Sequence, residues 1–83
     1  MPRMTKRKRT RLPSDLPRGR VHSALKRLGF AVAREKGPHT TYQDSARPER
    51  ILQLPRHPKI KRRLLQGILK RTGVSEEDFM ANY

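Results

Sequence analysis

The sequence predicts an α+β domain in which a three-stranded antiparallel sheet carries two helices on one face, in the order α-β-β-β-α. Three observations lead there. Two segments, one toward each end, place apolar residues along one helical face, as a helix with a single buried side does. Between them lie three short strand-like runs separated by Gly-, Pro- and Asp-containing turns. A chain of 83 residues has material for one thin core, and a single sheet backed by helices buries both stripes with the fewest layers.

Taken in order, the chain opens with Arg3, Lys6, Arg7, Lys8, Arg9 and Arg11 between Pro2 and Pro13, with almost nothing to bury. Residues 1–12 read as a disordered basic arm and residues 13–83 as the folded domain. Two roles stay open for the arm: wrapping a phosphate backbone, or keeping the chain in solution. Pro17 suits the first turn of a helix, where its missing N–H has no partner to lose, and Ser14 or Asp15 stands upstream as a cap. Val21, Ala24, Leu25 and Leu28 form the buried stripe, and Gly29 sits where a left-handed C-terminal cap belongs, giving a helix over about 17–28. His22, next to Val21, is expected on the surface.

Phe30, Val32 and Arg34 alternate with Ala31, Ala33 and Glu35, which predicts a strand with one side toward the helix. Lys36-Gly37-Pro38 turns the chain, and His39 to Gln43 forms a second strand, rich in β-branched and aromatic residues. Its Tyr42 is either a packing residue or a surface on which a base stacks. Residues 44–49 make a hairpin loop, and residues 50–54 a third strand ended by Pro55. A basic block, Lys59 to Arg63, then leads into a helix whose apolar face is Leu64, Leu65, Ile68 and Leu69, closed by Gly73. Ser75-Glu76-Glu77-Asp78 has the spacing of a capping box and opens a last helical turn that docks through Phe79.

Charge narrows the partner. With 21 Lys+Arg against 7 Asp+Glu, the formal net charge is +14, which attracts polyanions and points to nucleic acid, RNA above all. No stretch joins a wide apolar face to a basic one over the length of an interfacial helix, and no apolar run approaches the ~18 residues of a membrane span. The expectation is a cytoplasmic protein with no membrane partner. Cysteine is absent, so disulfides and thiolate metal sites are excluded, and three scattered histidines make no zinc site. The two main helices are separated by three strands, so there is no helix-turn-helix for DNA.

The predicted element order is that of double-stranded-RNA-binding domains, and four sequence pieces sharpen the likeness. Leu28-Gly29-Phe30, Lys36-Gly37-Pro38-His39, Pro55-Arg56-His57 and Gly73-Val74-Ser75-Glu76-Glu77-Asp78-Phe79 follow one another at spacings that resemble the HicA (YcfA-like) toxins. In that family the corresponding pieces read L-G-F, K-G-S-H, P-x-H and G-[IV]-S-x-E-E-F. The resemblance covers about residues 12–80. It departs from the pattern at Pro38, where the family has serine, at Arg63-Leu64, where the family often has Gly-Thr, and at Pro17-Arg18-Gly19 in place of Ser-Gly-Lys.

The resemblance implies the toxin of a type II toxin–antitoxin system: an endoribonuclease that cleaves mRNA without metal or other cofactor, with its catalytic histidine at His39 and a HicB-like antitoxin as partner. RNA can be cut without metal because its 2′-OH can attack the adjacent phosphorus, and an imidazole suits the required proton transfers. In this reading Lys36 supplies charge to the phosphate, and His57 is a second proton-transfer group or an RNA contact. Arg34, Lys36, His57, Lys59, Lys61, Arg62 and Arg63 are the RNA-binding candidates, the last four gripping phosphates at a helix start. The rival expectation is a non-catalytic RNA-binding protein on the same fold, with Pro38 marking the lost activity.

Overall fold

The computed structural model describes residues 12–83, so the basic arm, apart from Leu12, lies outside the described residues. The elements run β1 (Asp15–Pro17), α1 (Arg18–Arg27), β2 (Phe30–Lys36), β3 (His39–Asp44), β4 (Ile51–Pro55), β5 (Lys59–Lys61), α2 (Arg62–Thr72) and α3 (Glu76–Ala81). Strands β2, β3 and β4 form the expected antiparallel sheet in sequential order, and α1 and α2 pack on it, so the double-stranded-RNA-binding-like α+β architecture is present.

A second, two-stranded ribbon was not expected. β1 pairs antiparallel with β5, Leu16 facing Ile60, and both side chains are fully buried. Lys59-Ile60-Lys61 is therefore a strand that dips one isoleucine into the core, not the lead-in of the second helix. The same pairing overturns the capping expectation for α1. Ser14 and Asp15 do not cap it; Pro17 occupies the cap position without a side-chain bond, and Asp15 turns instead to Lys61 at 3.5 Å. Leu12 is also buried, so the core begins one residue inside the segment read as the arm.

β3 is the central strand. Thr40, Tyr42 and Asp44 point inward and are buried, while His39 is exposed and Thr41 and Gln43 half-buried. The burial of Tyr42 settles its role as packing and removes it as a base-stacking surface. Its hydroxyl lies 2.6 Å from Nδ1 of His22, so His22 is half-buried and polar-bonded rather than simply on the surface. β2 is buried only at Phe30: Val32 is 43% exposed, and the register shifts between Val32 and Arg34. Val32, paired with Tyr42 ahead of the shift, stays on the inner face but is left uncovered on the edge strand, whereas the bulge re-aims Arg34 to the outer face opposite Thr41. At the far end of β3 the Asp44 carboxylate accepts from the amides of Ala46 and Arg47 (2.9 and 3.3 Å) and pairs with Arg50 at 3.5 Å, which organises the hairpin loop. Gly29, with φ of 102°, makes the α1–β2 turn at a conformation costly for any residue with a Cβ.

α2 buries Leu65, Ile68, Leu69 and Thr72 and ends at Gly73, whose φ is 85°. Leu64, expected on the buried face, is 39% exposed, because the face that meets the sheet is centred on Leu65 and Leu69 and leaves Leu64 on its flank. α3 starts as the capping pattern predicts, with Ser75 Oγ accepting from the amide of Asp78 at 3.0 Å, and Phe79 is fully buried.

Phe79→Ala is expected to lose about 3–5 kcal/mol and Ser75→Ala about 1 kcal/mol in urea unfolding. Burial pushes the Tyr42 hydroxyl above its ordinary value; the charge of Arg18 opposes this and Glu35 adds to it. The folded state thus holds a proton that the unfolded chain releases near its unperturbed value of 10.0. Stability contributed by this group is complete below that value and is lost as pH rises through the higher folded value. As pH rises above 10.0, stability of the native chain is expected to fall more steeply than that of Tyr42→Phe.

Candidate functional site

The β2–β3 turn and the end of β4 meet at one edge of the sheet. Gly37 turns the chain with φ of 61°, and His39 enters β3 directly opposite Lys36 of β2 and Pro55 of β4. The Arg56 amide donates to the Pro38 carbonyl at 2.9 Å, continuing the ladder one step past the strands. The imidazole of His39 is exposed, since its backbone position directs it away from the face that Thr40 and Tyr42 bury.

Alongside the outer edge of β4 runs a half-open cleft of about 450 Å³. His39 and His57 line it together with Ile51, Gln53, Leu64, Ile68, Arg71 and Thr72. The two histidines of the sequence reading are thereby brought to one space. Lys36 does not line the cleft but is the register neighbour of His39. Arg71 was not foreseen. It follows Leu64 and Ile68 at i+7 and i+3, the spacing of one helical face, and that spacing is the signal that could have found it. The exposed Ile51 and Leu64 give the cleft an apolar floor beside its cationic and imidazole groups.

Lys61, Arg62 and Arg63 line a separate cavity of about 450 Å³ with Ser14 and Gln66, at the N-terminus of α2. The first turn of α2 holds no acidic residue, so two arginines sit at the end of the helix where the backbone dipole already favours an anion. Arg62 is half-buried and reaches the Pro13 carbonyl at 3.4 Å through Nε. Arg34, exposed on β2, and Lys59, exposed on β5, line neither cavity. Among the described residues the ion pairs are Arg50–Asp44 and Lys61–Asp15, so most of the cationic surface is uncompensated. Among the same residues no three His, Cys, Asp or Glu side chains gather as a metal would require, and no helix is long and apolar enough to cross a membrane.

No curated protein matches the chain. A family model described as the HicA toxin of bacterial toxin–antitoxin systems matches residues 18–74, from the first residue of α1 to just past the C-terminal glycine of α2. That match takes in the sheet, the β2–β3 turn with His39, the Pro55-Arg56-His57 segment and every residue lining the β4 cleft. The match covers more than half of the sequence, and the protein belongs to the HicA toxin family.

Proposed function

We propose that this HicA-family toxin is a metal-independent endoribonuclease that cleaves mRNA at His39, acts in the cytoplasm and is held inactive by a HicB-like antitoxin. The observation that carries the reading is the meeting of His39 and His57 in one cleft, with Lys36 opposite His39 in the sheet. In the reaction a base takes the proton of the 2′-OH, the 2′-oxygen bonds to phosphorus, and the bond from phosphorus to the 5′-oxygen breaks as that oxygen receives a proton. Two imidazoles facing one space can divide the two proton transfers, and such groups typically contribute ~10²–10⁴-fold each. His39 takes the principal role, and His57 serves as its partner or holds the RNA. Arg71 in the cleft and Lys36 opposite His39 supply the positive charge that offsets charge developing on the phosphorane oxygens.

Binding and cutting are divided between two surfaces. Lys61, Arg62 and Arg63 at the start of α2, with Lys59 and Arg34, hold the phosphate backbone. The cleft takes the nucleotides at the scissile bond. An acidic antitoxin surface that covers the cleft would also satisfy the excess charge of the toxin.

Incubation with labelled single-stranded RNA in EDTA tests the catalytic assignment. The native chain is expected to cleave, His39→Ala to lose ~10²-fold or more, and His57→Ala to lose less. Full activity in His39→Ala overturns the assignment, and binding without cleavage by the native chain leaves an RNA-binding protein with Pro38 in place of the family serine. For the basic cavity, Lys61→Ala with Arg63→Ala is expected to lower the slope of log affinity against log salt by about 2 and to weaken all sequences alike. An unchanged slope removes these two residues from the interface.

A further inference from the structure

We propose that Arg18 is the positioning residue for His39, an inference that rests on the catalytic reading of His39. Arg18 is the first residue of α1 and half-buried, and it is bonded to three places that surround the two histidines. Its Nη2 donates to Oγ1 of Thr40 at 2.6 Å, its Nε to the Pro55 carbonyl at 3.3 Å, and its backbone N–H to the Pro58 carbonyl at 2.9 Å. Thr40 is the residue after His39, and Pro55 is the residue paired with His39 across the sheet. Pro55 and Pro58 bracket the segment that carries His57.

The guanidinium thus bridges the second residue of β3 to the last residue of β4 from the buried side, while His39 projects from the other side. Strand ends fray, since their outermost ladder bonds are few and wet. Here the pair that carries the imidazole is the last full pair of the sheet, held beyond it by the bond from the Arg56 amide to the Pro38 carbonyl. A planar fork with donors on two different nitrogens can hold a hydroxyl and a carbonyl at once; a lysine ammonium on a flexible stem does not reproduce that geometry. Thr40 has no solvent exposure, so removal of Arg18 leaves its hydroxyl unpartnered in the core. Arg18 touches neither the RNA nor the reacting atoms in this account. It keeps His39 and the His57 segment at fixed separation, where a displacement of about 1 Å can cost ~10²-fold in rate.

The test compares Arg18→Met, Arg18→Lys, Thr40→Val and Thr40→Ser in the full chain, by steady-state cleavage of RNA and by amide hydrogen exchange. Both Arg18 variants are expected to lose about 10²-fold in kcat with KM within about twofold. Thr40→Val shifts in the same direction and Thr40→Ser stays near native. The double variant Arg18→Met with Thr40→Val is expected to be no worse than the poorer single, because the bond that Thr40→Val removes is already gone in Arg18→Met. The Arg56 amide is expected to exchange about tenfold faster in Arg18→Met, with the amides of Tyr42 and Leu52 unchanged. A raised KM at native kcat makes Arg18 an RNA contact and overturns the proposal; so does native kcat in Arg18→Lys. If Arg18→Met fails to fold, the contrast between Thr40→Val and Thr40→Ser decides. If the native chain cleaves no RNA, the ribonuclease reading fails, and the exchange of Arg56 still decides whether Arg18 fixes the strand ends: unchanged exchange overturns it.

Discussion

Strand β3 has a partner on each side and a core on one face, and this double constraint sets the geometry of everything around it. Thr40, Tyr42 and Asp44 are buried, so a slip of one residue would expose Tyr42 and drive His39, Thr41 and Gln43 into the helices. The register is therefore held by core packing, and the register puts His39 opposite Lys36 and Pro55. Asp44 anchors one end of the strand through the hairpin loop and Arg50, while Arg18 and Thr40 hold the other. The position of the imidazole is thus a consequence of what lies beneath it, and the exposed side chain itself contributes little to the fold.

The same economy of core explains the charge. A domain this small buries few side chains, and the chain carries +14 with few acidic groups to answer it. Self-repulsion of that order disfavours the compact state and rewards a polyanion that binds it. The placement of Arg62 and Arg63 at the dipole-positive end of α2, with no acidic residue in that turn, runs against helix stability. The clustered basic side chains and the two histidines lie in different places: a polar basic cavity at the start of α2, and a partly apolar cleft at the β4 edge.

Much of this was legible in the sequence where the physics is local. The stripe of α1, the three strands of the main sheet, Gly29 and Gly73 at the helix ends and the Ser75 cap all depend on residues close in the chain, and each stands where its pattern placed it. The β1–β5 ribbon was hidden because a three-residue strand is too short to alternate, and because Ile60 is flanked by lysines that resemble a charge run. The outward Arg34 depends on a bulge, the half-buried His22 on a tyrosine twenty residues away, and the exposed Leu64 on the rotation of α2 over the sheet. His39 and His57 were named from their motifs, but their shared cleft, the place of Arg71 in it, and the bonds of Arg18 to Thr40 and Pro55 depend on elements distant in the chain.

The central claim is that the RNA's own 2′-OH is the nucleophile and that protein imidazoles move the protons. The ends of the fragments report this most directly. Mass spectrometry of products from a defined single-stranded RNA is predicted to show a 2′,3′-cyclic phosphate on one fragment and a free 5′-hydroxyl on the other. Fragments with a 3′-hydroxyl and a 5′-phosphate mean that water or another group attacked the phosphorus, and that result contradicts the account.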